Sequence, residues 1–210
     1  MKIFNLYQKL YRQYGAPKKF WPQWCADKKT RAIREIIILG AILTQRTSWR
    51  NAALALMNLK KNNLLSFKNI SNLKSFDGLV ELIRPAGFYQ TKPRRIYELA
   101  YFITKETGGL KGLMDKETKI VRQKLLSLYG IGPETADVIL LYALDKLSFV
   151  VDEYTKRFTK GNNLSDDLSY NHLKELFEEN LPEDVKIYQN YHALIIAEQK
   201  KGIGIEMKKV

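Results

Sequence analysis

The chain has 210 residues, 45% of them hydrophobic, and one cysteine, Cys25. That is enough apolar content for a packed core, which argues against disorder, and too few thiols for an internal disulfide, a cysteine-ligated iron–sulfur cluster or a multi-cysteine zinc site. Its 35 Lys+Arg against 22 Asp+Glu leave a formal charge of +13, which suits a polyanionic partner because neutralised phosphates release condensed counterions.

The stretch Met1 to Asn5 lacks a secretory pattern, and the longest apolar run, Ile36 to Leu43, is too short for a bilayer, so a soluble, intracellular (cytoplasmic) protein is expected. Leu6, Leu10 and Tyr14 stand at helical spacing and predict a first helix. Gly15 to Pro17 breaks it, and the aromatic run Phe20-Trp21-Pro22-Gln23-Trp24 precedes a helix starting near Arg31. Helical periodicity then recurs over Ile33–Leu43, Ala52–Leu59, Leu79–Ile83, Ile96–Ile103, Val121–Leu128, Ala136–Leu144, Leu173–Phe177 and Tyr188–Ala197. Gly and Pro punctuate the joints at Arg84–Gly87, Lys92-Pro93, Gly108-Gly109, Gly130–Pro133, Gly161–Asn163 and Leu181-Pro182. Ser148–Asp152 is the one short extended-looking candidate, so the fold class is all-α. No internal repeat is visible, and the tail from Lys200 to Val210 is expected to fray.

Leu125 to Asp137 reads as a helix end, a tight turn with two glycines, and a new helix with Pro133 at its first position. Ile131 between Gly130 and Gly132 can anchor such a turn in the core while amides at the next helix start face a phosphate. An ordinary helix connection closed by glycine has the same local pattern. Context adds more. The run Gly130 to Leu144, followed by Phe149 to Arg157, resembles the helix-hairpin-helix, Gly/Pro-rich loop and aspartate signature of the endonuclease III superfamily. Gly40–Trp49, Arg84–Lys92 and Tyr191–Ala197 extend the resemblance in the right order, and the chain is most similar to the cluster-free 3-methyladenine DNA glycosylases.

The resemblance implies a two-lobed helical fold with a central cleft. One lobe would span 31–144, with the hairpin at about 121–144, and the other would combine 1–30 with 145–210. It places the catalytic carboxylate at Asp152, 20 residues after Gly132, where the sequence alone also reads an N-cap ahead of Tyr154 to Phe158. Strand-cutting members carry a lysine two residues after the second glycine; here that residue is Glu134, which cannot form a Schiff base. A monofunctional hydrolase follows, although Lys200 aligns loosely with a pocket lysine, and Lys200 and Lys201 are also read as solvated tail residues.

A base pocket is expected from Phe20, Trp21, Pro22, Trp24, Trp49 and Lys200, in which indole faces would favour a cationic methylated adenine. The aromatics could equally pin the N-terminal segment to the core. DNA contacts are expected from Gln45, filling the gap left by a flipped nucleotide, and from Arg46, Gly130, Ile131, Gly132, Glu134 and Thr135. Arg50, Lys92, Arg94 and Arg95 join them as candidate phosphate contacts. His172 and His192 lack metal-ligand spacing, and His192 reads as core. No metal and no cofactor are therefore expected. The expected partner is double-stranded DNA carrying a damaged base, bound by a monomer, with no membrane. Alkylated purines such as 3-methyladenine lead as substrate; deaminated, mismatched or oxidised bases on the same scaffold, or a non-catalytic DNA-binding module, are the alternatives.

Overall fold

Apolar residues at three- and four-residue spacing can bury a common face only as helices, and among the described residues, 2–200 of a computed structural model, every regular element is helical. In chain order these are α1 (Lys2–Tyr14), α2 (Arg31–Leu43), α3 (Trp49–Lys61), α4 (Phe67–Ser71), α5 (Asp77–Ile83), α6 (Lys92–Tyr101), α7 (Leu110–Met114), α8 (Thr118–Leu126), α9 (Pro133–Val138), α10 (Glu153–Gly161), α11 (Tyr170–Glu179) and α12 (Val185–Lys200). Of the tail expected to fray, Lys200 alone lies within the described residues. No described helix is long and apolar enough to cross a membrane.

Two departures from simple periodicity matter. Helices α6 and α9 each run on into a π-helical turn, at Phe102–Glu106 and Ile139–Ala143, so the single helix expected over Ala136–Leu144 contains a change of hydrogen-bond register. The extended candidate Ser148–Asp152 has no strand partner. It is a strap through the interior: Phe149, Val150 and Val151 are buried, and the Phe149 amide donates to Glu178 Oε1 at 2.7 Å.

Helix α2 is the first pillar of the core. Every residue from Glu35 to Leu43 is buried, and the helix packs on α3, α6 and the Ile139–Ala143 turn. Each apolar side chain so buried contributes roughly 1.5–3 kcal/mol. The second pillar is α12, buried from Tyr188 to Ala197 except at Asn190 and packed on α1, α10 and the same π turn. Helix α1 is thereby held to α12, with the Tyr191 hydroxyl donating to Ile3 O at 2.9 Å.

Charged groups, buried or half-buried, fasten the loops to these pillars. Asp145 accepts from Lys29 at 2.6 Å, Arg34 at 2.8 Å and Gln189 at 2.9 Å, which joins the segment before α2, α2 itself and α12. Lys92 corrects an expectation. It does not face solvent to meet phosphates but is fully buried, its Nζ donating to Leu43 O at 2.7 Å and Ala86 O at 2.8 Å. It satisfies carbonyls that the ends of α2 and the Arg84–Ala86 turn leave without helical partners. Burial, with the Arg95 charge adding to it, pushes the Lys92 ammonium down to about 8.

Asp137 on α9 has no solvent exposure and gathers four elements. Arg122 of α8 clamps it with Nε and Nη2 at 2.8 and 3.0 Å, Ser148 of the strap donates at 2.6 Å, and Tyr170 of α11 donates at 2.6 Å. Removing one member of such a buried pair leaves the other charge uncompensated and costs about 3–5 kcal/mol. Asp137→Ala should therefore lower the urea-derived unfolding free energy by that amount at unchanged m. A loss under about 1 kcal/mol, the size of an ordinary substitution, would show that the network does not brace the fold.

Candidate active site

The hairpin between α8 and α9 turns on Gly130. Its φ of +73° favours glycine, and a Cβ there would sit 2.2 Å from Arg95 Nε, so any larger residue would also displace the Arg95 side chain. Ile131 is buried and anchors the turn, and its amide donates to Leu128 O at 3.2 Å. Gly132 differs from the two-glycine expectation. Its backbone is extended (φ −90°, ψ 177°), and a Cβ would meet nothing within 4 Å, so the fold itself does not require glycine there. Pro133 opens α9, whose first-turn amides, including those of Glu134 and Thr135, have no acceptor within their own helix.

Gln45, just past the end of α2, is tied to this hairpin. Its Nε2 donates to Thr135 Oγ1 at 2.9 Å and Gly130 O at 3.2 Å, while Arg95 donates to its Oε1. Arg46 follows in left-handed conformation (φ 53°) and is exposed, as are Arg50 and Arg94. The Arg94 guanidinium stacks 4.3 Å over the exposed Tyr129 ring at the hairpin's edge.

Beside Gln45 a cavity of about 330 Å³ opens between the α2–α3 connection, α9, the start of α10 and α12. Trp21, Trp24 and Trp49 wall it, and Arg46, Glu134, Asp152, Tyr154, His192 and Lys200 supply its charged and titratable groups. Trp24 meets Trp21 at 6.2 Å and Trp49 at 5.9 Å, both edge to face. Gly40 makes room for two of them: a Cβ there would lie 3.2 Å from both Trp24 and Trp49. Phe20 and Pro22, expected in the same pocket, stand outside its lining. The backbone explains the sorting. Phe20 and Trp21 both donate to Pro17 O, at 3.0 and 2.7 Å, and Cys25 donates to Trp21 O at 2.9 Å. The segment thus winds helically, and Trp21 and Trp24, three residues apart, share the inward face. Phe20 packs, half-buried, against the core.

Asp152 ends the strap and caps α10. Its Oδ1 accepts from the Thr155 amide at 2.7 Å and the Thr155 hydroxyl at 3.0 Å, and its Oδ2 lies 3.4 Å from His192 Nε2. The N-cap and cavity readings of this residue are geometrically compatible. Burial pushes its carboxyl up, but the proximity of His192 and the Thr155 donors outweigh that and hold it below the usual carboxylate range. Glu134 moves the other way, raised first by desolvation in the cleft and then by the Asp152 charge. One cavity therefore holds a carboxylate kept ionised beside a carboxyl drawn toward protonation. Lys200, half-buried at the end of α12 with its Nζ 5.7 Å over the Tyr154 ring, is lowered by burial against the opposing Asp152 charge.

Two residues were not read as site residues in the sequence. His192 is buried, as a core reading requires, yet it also lines the cavity. The signal was its spacing: 192, 196 and 200 lie on one helical face, which Lys200 already marked. Phe88 follows Gly87 in left-handed conformation (φ 48°), is 51% exposed, and edges a neighbouring hollow that also reaches Gln45, Gly130 and Gly132. Among the described residues no cluster of three or more His, Cys, Asp or Glu could hold a metal ion, and Cys25 is buried, with its thiol pushed up to about 12 by burial.

Comparison with known proteins identifies the family. Residues 39–183 match the family model described as HhH-GPD superfamily base excision DNA repair protein. A protein of Methanocaldococcus jannaschii named as a DNA repair glycosylase is 45% identical over 95% of this chain and 87% of its own length. The endonuclease III of Sulfolobus acidocaldarius is 28% identical over 96% of this chain and 88% of its own. Among solved structures, the 3-methyladenine DNA glycosylase of H. pylori bound to 1,N6-ethenoadenine superposes with a TM-score of 0.80 at 27% identity, covering 96% of this chain and 98% of that one. With the hairpin, the cleft and the sequence in accord along most of its length, the chain belongs to the HhH-GPD superfamily of base excision DNA repair proteins and is one of its DNA glycosylases.

Proposed function

We propose that this glycosylase hydrolyses the N-glycosidic bond of an alkylated purine, such as 3-methyladenine, flipped out of double-stranded DNA, and leaves the strand uncut. The carrying observation is Asp152, held ionised in a cavity walled by three indoles. Cleavage of the C1′–N bond sends its electron pair into the base and leaves oxocarbenium character on the sugar. A carboxylate beside C1′ stabilises that charge, and as water adds to C1′ it accepts the proton that water loses. A base methylated on the ring is already cationic and departs neutral, so it needs no proton from the enzyme. Its charge is attracted by indole faces and by the Asp152 carboxylate.

The DNA-facing surface is read as the hairpin with the neighbouring hollow, at a cleft between a lobe of residues 31–144 and one formed by 1–30 with 145–210. Free first-turn amides and the absent side chain at Gly132 let a phosphate approach the backbone. Gln45 and Arg46 stand where cavity and hairpin meet and are suited to occupy the space a flipped nucleotide leaves, and Phe88 offers an exposed ring along the same edge.

Asp152→Asn keeps the capping acceptor but removes the charge. It should reduce base release from alkylated duplex by about 10²–10⁴-fold with DNA affinity changed little, and unchanged turnover would sink the mechanism. For substrate, release from methylated DNA should exceed release from duplexes containing uracil, a thymine mismatch or 8-oxoguanine; failure on the first with turnover on another assigns a different base. Glu134 at the lysine position predicts no covalent adduct on borohydride treatment during turnover. A trapped adduct that disappears in Lys200→Ala would instead make Lys200 the nucleophile of a strand-cutting enzyme.

A further inference from the structure

His192 is 4% exposed, and its surroundings restrict where its proton can be. The hydroxyl of Tyr142, itself fully buried, lies 2.8 Å from His192 Nδ1 and 2.9 Å from Gln189 O. A hydroxyl has one proton to give. If Tyr142 gives it to Gln189 O, Nδ1–H must donate to the phenol oxygen, and Nε2 is protonated in the imidazolium. If Tyr142 gives it to Nδ1, the neutral ring carries its proton on Nε2. Both arrangements put an Nε2–H on the side of Asp152 Oδ2, 3.4 Å away, and Nε2 has no closed hydrogen bond to any described residue. The remaining arrangement, a neutral ring protonated on Nδ1, would set the Nε2 lone pair against a buried carboxylate.

We propose that His192, oriented by Tyr142, is the positioning residue for Asp152, presenting Nε2–H to the carboxylate oxygen that the α10 cap leaves free. This rests on Asp152 being the group beside C1′. One oxygen of Asp152 is fixed by Thr155, and His192 fixes the other while keeping the carboxylate charged at the cavity wall. The 3.4 Å separation is longer than a closed hydrogen bond, as suits a site that tightens around its substrate. The charged and titratable groups facing the ring are Asp152 and Tyr154 of α10, Glu134 of α9, Tyr142 of the π turn, and Lys200 of its own helix.

The sign follows from burial. Without His192, burial acts on Asp152 opposed only by Thr155 and more distant charges, so its carboxyl rises, and base release that needs the carboxylate is lost at a higher pH as pH falls. The test is single-turnover base release against pH on alkylated duplex, with duplex affinity measured alongside. His192→Leu should move the acid limb up by about one to three pH units, and His192→Gln, which retains an N–H donor, should recover part of that shift. A rate reduced equally at every pH, with the limb unmoved, overturns the proposal while leaving Asp152's role intact. Full activity of Asp152→Asn overturns both. Should His192→Leu fail to fold, 15N resonances of the wild-type imidazoles, assigned with His172→Gln, decide the matter. A protonated Nε2 at neutral pH supports the relay, and a bare Nε2 refutes it.

Discussion

A carboxyl group without access to water needs donors to replace its hydration, and Asp137 meets that need by drawing four elements to one point. The hairpin helix supplies the acid, the helix before the turn supplies the guanidinium, and α11 supplies a phenol. The strap supplies a serine four residues before Asp152. The distance from the hairpin to Asp152 is thus not left to loops. If the hairpin grips a phosphate, the carboxylate's place relative to that phosphate is already set by hydrogen bonds with strict geometry.

The same device recurs at lower stakes. Asp145 binds the aromatic segment's flank to α2 and α12, and Lys92 pins the end of α2 against the Arg84–Ala86 turn. Each polar centre sits where a loop carrying cavity residues leaves the apolar pillars. Hydrophobic burial supplies bulk stability, which is indifferent to small rotations, whereas these contacts specify angle. A site that must hold several groups around one sugar needs the second kind of restraint as much as the first.

Much of this was legible in the residues because periodicity is a statement about burial, and the pillars are buried. Ile33–Leu43 and Tyr188–Ala197 announce themselves as helices by composition alone. The five-residue helices α4 and α7 do not, being too short to display a period. Lys92 was misleading for a related reason: sequence shows a lysine's charge but not which way it points, and this one turns toward carbonyls that only the folded chain brings together. Phe20 and Trp21 are neighbours in sequence but face different ways, because the turn after Pro17 winds helically and side-chain direction changes by about 100° per residue. His192 was hidden by its apolar companions. A helix can be core on one face and cavity wall at the edge of that face, and single-residue hydropathy does not resolve the boundary.

The π turn at Ile139–Ala143 is, in effect, an angular shim. Widening one turn of helix lets the chain carry an additional residue and shifts the phase of everything beyond it by roughly one residue's rotation, about 100°. Tyr142 lies within it, aimed at His192 and Gln189. Regularising that turn by deleting one residue would leave the hairpin upstream undisturbed and still rotate the phenol out of line with the imidazole. The set of the hairpin and the alignment of Tyr142 with His192 are thus separable in this helix, and a single inserted residue lies between them.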